Sequence, residues 1–563
     1  MVAPRGEEPL PADGDAATVL TARYVPVRVD GDERPDVADL ARLSLSVVSE
    51  TAAPQDASLW VVLTSSLHPL AAGTLAGVSG PALGQGLAAI ADAYETRRAD
   101  IEARAGVAAA RLSSSQVPES PEGPLTRANV ERAVKNALQS SDGLPKAGLL
   151  RLLRAEVLVA GSGTAREALA GALDRLAASP ESRTLEAQAL RLRALAQGAS
   201  ILGLPSLTVA TQKATASLLA HTRRDGAFVV GPDDGRAFAY ANGLAIGALA
   251  SSSSALAAAE PRAAASEAAA ATLAQLGPWP TLFRCASPEA RCGAAYLEDY
   301  AFLAEGLLDL HDATGDPRWQ AEARAAVDGA VGRFLDSAAG GFFDTDSAHE
   351  PLPTRLKDAY DGSRPAANGV MVQVLVRLAR DTGEKRYADL ARRTVDAFRG
   401  DLQKAPRGLE TLAAAADEMV SLPTRAPVAE PHPSRETRGP ITVELSLSTD
   451  RVSPGGALDA RVRLTAAAPW RVNGHKPSAA DLVPLTVSVP GDAFVVGASR
   501  YPTEATSAGP LEVVVPVRVP RRSGEAPGSL RLAVRFQACD GPRCAAPESV
   551  ILEAPLTVEA APR

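Results

Sequence analysis

The sequence predicts a multi-domain protein: an α/β segment, then an all-α toroid of six helical hairpins, then an antiparallel β-sandwich. Three observations lead there. At 563 residues the chain is too long for one hydrophobic core. Residues 127 to 421 show apolar residues at helical spacing, helix after helix, with turn residues between them. From residue 441 the pattern changes to a period of two, broken by Gly and Pro.

The α/β segment spans residues 18 to about 110. Tyr24-Val25-Pro26-Val27-Arg28-Val29 alternates like a strand, and Leu59-Trp60-Val61-Val62-Leu63 is an apolar run of strand length. Between them Pro35 to Ser49 has helical spacing, with Asp36 near its start where negative charge meets the helix dipole. Gly86 to Leu112 reads as one long helix, and Pro118 to Pro124 as a linker.

The helical region holds about a dozen helices, starting near 127, 146, 164, 184, 205, 237, 259, 296, 316, 365, 384 and 408. Six hairpins wrapped into a toroid account for that number. An open solenoid is the alternative, although no clean repeat period is visible. Longer interruptions fall at 224–236, 276–295 and 337–364. Leu422 to Pro440 carries five prolines among charges and reads as an inter-domain linker. Strands are expected at Ile441–Leu447, Leu458–Leu464, Val483–Val489, Leu511–Val519 and Leu530–Phe536, as in a β-sandwich.

Bulk properties narrow the function. A formal charge of -8 with no basic stripe argues against nucleic acid as a partner. The longest uncharged run, Ala237 to Ala259, is mostly Ala, Ser and Gly with Asn242 inside it, so no membrane span is expected. Residues after Met1 lack a signal-like apolar core, which points to the cytoplasm if this start is correct; an envelope location follows if a leader lies upstream. The four cysteines fall into two close pairs, Cys285/Cys292 and Cys539/Cys544, which suggests disulfides or redox couples. No histidine lies beside either pair at ligand spacing, so no metal is expected, and no motif calls for a cofactor.

The stretch richest in chemistry runs from Leu297 to Asn368. Asp299 shares a helix face with Leu303, Gly306 and Leu310, while Glu298, Glu305, Asp309 and Asp312 fall on a flank read as solvated. A carboxylate on an apolar face either finds a partner or its pKa rises. Tyr300 follows it. Asp358 and Asp361 precede the helix near Pro365, and with Arg355, Lys357, Tyr360 and Asn368 they suggest a polyol-binding mouth. Paired carboxylates also serve as acid and base in glycoside chemistry. Loop hydrogen bonding and helix capping are the competing explanation for each acid.

Taken together, Val29-Asp30-Gly31-Asp32-Glu33-Arg34-Pro35-Asp36, Leu297 to Leu303, Gly340 to Phe343 and Lys357 to Gly362 resemble signatures of the spermatogenesis-associated protein 20-like family of bacterial and eukaryotic proteins. The resemblance covers about residues 18 to 421. It implies a thioredoxin-like domain followed by a six-hairpin barrel similar to that of N-acylglucosamine 2-epimerases. Two departures matter. The family's Cys-x-x-Cys is not found ahead of Asp30, so residues 1–112 are expected to be a truncated thioredoxin-like domain without thiol chemistry. The histidine pair that such epimerases use for proton transfer is not recognisable among His221, His311 and His349.

Residues 441–563, through Trp470 to Pro477, Tyr501-Pro502 and the Cys539/Cys544 segment, resemble the immunoglobulin-like N-terminal domain of thiol:disulfide interchange reductases. That resemblance implies electron relay through Cys539 and Cys544. The expectation is therefore a thioredoxin-like domain (1–112), an α/α barrel (125–421), a linker (422–440) and a β-sandwich (441–563). The barrel is expected to bind a sugar or glycan, with catalysis left open. The alternatives are a redox module with a thiol-disulfide partner protein, or a scaffold.

Overall fold

The computed structural model describes residues 2–3, 14–49, 58–76, 78–114, 123, 125, 127–139, 145–231, 234–404, 408–420, 434–478, 482–489, 494–502, 506–507, 509–520, 529–541 and 543–558. Most of both Pro-rich stretches read as linkers lies outside them.

The first lobe packs helices α1 (Asp15–Arg23), α2 (Pro35–Ser49), α3 (Gly80–Thr96) and α4 (Arg98–Ser114) around strands β1 (Val2–Ala3), β2 (Val29–Asp30), β3 (Leu59–Leu63) and β4 (Pro69–Thr74). The sheet order is β2-β1-β3-β4. Helix α2 and strand β3 lie where the periodicity puts them. Two expectations fail locally. The strand read over residues 24–29 survives only at its end: no strand pairs with residues 24–28 among the described residues, and Val25 is 90% exposed. The helix read from Gly86 to Leu112 is two helices, broken at Arg97 (φ -133°, ψ 38°). The break lets α3 pack on α1 while α4 turns onto α2 and β4. Nothing in local propensity marks it.

The central region holds α5 (Arg127–Gln139), α6 (Ala147–Ala160), α7 (Gly163–Ala178), α8 (Leu185–Leu202), α9 (Pro205–Leu219), α10 (Ala239–Leu256), α11 (Ala259–Leu276), α12 (Leu297–Thr314), α13 (Pro317–Phe334), α14 (Ala367–Thr382), α15 (Lys385–Ala397), the short α16 (Arg399–Lys404) and α17 (Glu410–Val420). Local chemistry sets their ends. Ser162, Thr184 and Asp316 accept backbone amides as N-caps, and Gly161, Gly203, Gly315 and Gly383 close helices in the left-handed conformation. Two short hairpin-like pairings join the ring's loops: β5 (Arg223–Arg224) with β6 (Ala227–Phe228), and β7 (Ala237–Phe238) with β8 (Cys285–Ala286).

The helices close into a ring. Each of α6, α8, α10, α12, α14 and α17 packs against the next, and α17 returns to α6. The alternating helices α7, α9, α11, α13, α15 and α5 pack outside them. This is the toroid rather than the open solenoid. One large apolar core runs through both layers. The inner helices approach very closely. A Cβ on Gly306 would sit 2.3 Å from the Gly243 carbonyl oxygen, so α10 and α12 touch backbone to backbone only because both positions are glycine.

Closure overturns one reading. Glu298, Glu305 and Asp309 do not lie on a solvated flank: Glu305 is 3% exposed. An inner helix of a ring has no outward polar face, so its polar flank points into the lumen. There Glu305 accepts from Arg151 at 2.6 Å and pairs with Arg193, Arg193 reaches Asp309 at 2.7 Å, and Arg377 bridges Asp309 and Asp312. Gln373 accepts from Arg151. This ionic plug fills the lumen below the mouth.

Residues 434–558 form mainly antiparallel sheets, with Arg451–Val452 and Thr557–Val558 paired in parallel. Ser434–Arg438, Ile441–Leu447, Ala457–Ala466, Leu511–Arg518 and Val495–Val496 make one, and Thr486–Ser488, Ser529–Phe536 and Glu548–Pro555 another. Their inward residues form one core of Val, Leu and Ile. Ser434–Arg438, expected within the linker, is an edge strand. Its polar side chains hide it from pattern reading, but an edge needs only backbone pairing, here to Ile441–Leu445. Among the described residues no helix is long and apolar enough to cross a membrane.

Candidate functional site

The N-termini of the inner helices share one end of the ring, and two buried carboxylates tie them together. Asp299 is fully buried. Its Oδ1 accepts from the Tyr240 amide (3.0 Å) at the start of α10 and from Arg284 (2.8 Å); its Oδ2 accepts from the Tyr296 amide (2.9 Å), the cap of α12. Asp361 repeats the arrangement. Its Oδ1 accepts from the Ala366 amide (2.7 Å) at the cap of α14, and its Oδ2 from the Thr411 amide (2.8 Å) in α17. A Cβ on Gly148 of α6 would lie 2.2 Å from that same oxygen, so a third helix start packs on Asp361. Burial pushes Asp299 up to about 6, against the pull of Arg284, and Asp361 up to about 7. Both acids therefore spend their acceptor capacity on the scaffold.

The other expected site residues divide in the same way. Asn368 is fully buried and clamps one peptide: Phe342 N–H donates to its Oδ1 (2.9 Å), and its Nδ2 donates to the Phe342 and Asp358 carbonyls. Asn242 does the same to Phe228, with Nδ2 also reaching the Phe238 carbonyl. Thus Gly226-x-Phe228 with Asn242-Gly243 and Gly340-x-Phe342 with Asn368-Gly369 form one device used twice, a repeat too widely spaced to register as a period. Tyr300 donates to the Pro280 carbonyl (2.7 Å) and accepts from the Leu282 amide (3.0 Å), pinning the 276–295 loop. Lys357 pairs with Asp336 (2.8 Å), and Arg355 donates to the Thr345 carbonyl and stacks over Phe343. Tyr360 is half-exposed.

Asp358 faces a different environment. Its Oδ1 accepts from the Tyr360 amide (2.7 Å), its side chain is exposed, and partial desolvation together with the nearby Asp39 raises it above the usual carboxylate range. Asp344 is half-buried, and its carboxyl has no hydrogen-bond or ion-pair partner among the described residues. Burial, then Asp358, Asp39 and Glu298, raise it well above the usual carboxylate range. Asp39 comes from α2 of the first lobe; its side chain is half-exposed, pairs with Arg42, and is raised by partial desolvation and by Glu298. These three acids, from three separated stretches, lie close enough to act on one another's charge, and solvent reaches Asp39 and Asp358. Behind them Arg364 binds Glu298 (3.2 Å) and Glu186 (2.9 Å), and Tyr240 lies between Arg284 and Arg364, 4.5 and 4.6 Å from its ring centre.

Asp39, Asp344 and Glu298 escaped the sequence reading as site residues. Asp344 had a signal, since it closes the Gly340-Gly341-Phe342-Phe343 turn. Asp39 had none, because it lies one turn beyond the signature on a helix that reads as ordinary. That signature explains how Asp39 arrives. Arg236 binds Asp30 (3.0 Å) and Glu33; Arg284 Nε donates to the Asp32 carbonyl (2.9 Å); Tyr296 donates to Asp36 (2.8 Å); Arg34 reaches Glu350 (2.5 Å) and His349 lies 3.5 Å from Asp36. Burial alone would raise Asp36, but the bonds from Arg34 and Tyr296 win and hold it below the usual range. The Val29–Asp36 segment is thus a clasp that seats α2 over the mouth.

Both cysteine pairs are disulfides. Cys285–Cys292 closes the loop over the mouth, and Cys539–Cys544 joins cross-strand neighbours, Ala538–Asp540 with Arg543–Cys544. Cys539 is 8% exposed and Cys544 open to solvent. Glu33 lies near the Cys285 and Cys292 sulfurs, but a disulfide offers a metal no thiolate. The ring's histidines have structural partners: His221 bridges Gln188 and the Val229 carbonyl, and His311 meets the Asp316 carbonyl.

No family model matches the chain. Solved structures similar to its fold include an unsaturated glucuronyl hydrolase from Bacillus sp. GL1 (13% identity, 52% of this chain and 94% of that one, TM-score 0.43) and a D-mannose isomerase (13%, 53% and 99%, TM-score 0.41). A family 105 glycoside hydrolase of C. acetobutylicum aligns at 8% identity over 51% and 98%, TM-score 0.42. Among curated proteins, human and rat spermatogenesis-associated protein 20 are each 38% identical over 115 residues, which is 20% of this chain but 15% of theirs. The match agrees with the resemblance read from the signatures: over 115 residues this chain is similar to spermatogenesis-associated protein 20, and it spans only a small part of those relatives' length.

Proposed function

We propose that this protein binds a sugar or related polyol at the mouth of its helical ring, where Asp39, Asp344 and Asp358 meet. The observation that carries the reading is Asp344, a partnerless carboxyl crowded by two others that solvent reaches. Acids crowded in this way hold protons more tightly than free carboxylates, so together they offer hydrogen-bond donors and acceptors to vicinal hydroxyl groups. The ionic plug limits the ligand to the mouth, and the clasp brings Asp39 in from the first lobe. Binding rather than turnover is the reading, because the ring's histidines are engaged elsewhere.

A thermal-shift panel of neutral, amino and acidic sugars tests it. At least one sugar class should raise Tm by about 2 °C or more, and Asp344→Asn or Asp358→Asn should remove that rise while leaving the unliganded fold intact. A flat response across the panel ends the proposal.

Around this site, we read the first lobe as thioredoxin-like, without a Cys-x-x-Cys in this chain, and residues 441–563 as an immunoglobulin-like β-sandwich. A second reading follows from the solvent access of Cys544: the Cys539–Cys544 disulfide exchanges with a thiol partner protein. Mild reductant should then release two thiols, with neither appearing in Cys539→Ser/Cys544→Ser; a disulfide that resists until the protein unfolds is structural.

A further inference from the structure

We propose that the ring holds a small inorganic anion, of chloride or nitrate size, in a cavity between α6, α7 and α8 lined by Arg151, Arg154, Arg193 and Gln197. The cavity has a volume of about 30 Å³, and every charged side chain lining it is an arginine. The rest of its wall includes Leu150 and Leu190. Arg151 and Arg193 turn toward the lumen, where they share Glu305. Arg154 is the one left short. Its nearest acid, Glu418, lies 3.7 Å away, beyond hydrogen-bond distance, and its Nε is buried with no acceptor. Among the described residues no hydrogen bond reaches the Gln197 side chain, which supplies a second donor.

A guanidinium buried without a full set of acceptors is costly, and two further arginines beside the same void raise that cost by repulsion. Burial lowers the Arg154 pKa from its usual value, and Arg151 and Arg193 lower it further against the opposing effect of Glu418. An anion in the void would accept from Arg154 Nε and Gln197 and offset the repulsion. The size suits one ion: the void has room for about two waters, enough for chloride or nitrate. The Arg154 side chain keeps 23% of its surface exposed, so an ion can enter without unfolding.

The test uses the full chain in a gluconate buffer, with chloride replacing gluconate at constant ionic strength. Tm should rise saturably by about 2 °C, nitrate should act likewise, and Arg154→Met should abolish the rise. Should that variant fail to fold, Gln197→Leu should move the midpoint of the chloride titration at least threefold higher. No rise in the parent protein, or a rise of equal size in Arg154→Met, overturns the proposal; so does an unmoved midpoint in Gln197→Leu. Crystals grown in bromide give a direct reading, in which an anomalous peak beside Arg154 supports the site and water alone in the cavity refutes it.

Discussion

Asp299→Ala lowers stability by about 3–5 kcal/mol, one of the two largest single-residue effects expected in the ring. The substitution removes three acceptor contacts at once, from the Tyr240 and Tyr296 amides and from Arg284. Arg284 is fully buried, and Glu298 at 2.7 Å would be its remaining acidic partner. Two helix starts also lose their cap, each worth about 1 kcal/mol. Asp299→Asn keeps one acceptor for an amide and removes the charge, so it should fall between alanine and the parent. Urea unfolding followed by helical circular dichroism measures both. A loss below about 1 kcal/mol for Asp299→Ala would mean that the carboxylate is not the tie between α10 and α12.

Glu305→Ala should cost about as much, ~3–5 kcal/mol, for a different reason. Glu305 serves two buried guanidinium groups, and its removal leaves Arg151 and Arg193 facing each other across the lumen with Asp309 and Gln373 as remaining partners. The charge balance makes a sharper comparison. Replacing Arg151, Glu305 and Arg193 together by Met, Leu and Met removes the unpaired charges, and such exchanges are often neutral or stabilising. The triple variant should therefore be more stable than Glu305→Ala alone, which denaturant midpoints decide. A triple variant worse than the single one would show that the network fixes helix register beyond balancing charge.

Both effects concern residues whose role was only half visible in the chain. Asp299 stood out as a carboxylate on an apolar face, and capping competed openly with ligand binding; its three partners come from residues 3 to 59 positions away. Glu305 was assigned to a solvated flank because a helical wheel assumes one wet side. The same limit hid Asp39, brought to the mouth by a clasp between residues more than 200 positions apart. One missed strand has a local cause. The alternation of Val550, Leu552 and Ala554 marks Glu548–Pro555 as a strand, but the prolines at 547 and 555 disguise it.

What the sequence determined by itself is the inventory: about where the ring's helices begin and end, that strands follow them, which cysteines lie close in pairs and which segment carries the family signature. Those follow from short-range chemistry, from caps, turn residues and apolar spacing, which act within a few residues of chain. Only the tertiary structure decided that the helices close into a ring, that Asp299 and Asp361 serve the scaffold, and that Asp39 joins Asp344 and Asp358. Whether a carboxylate binds a ligand or a neighbouring helix depends on which donors reach it, and the ring brings those donors from distant parts of the chain.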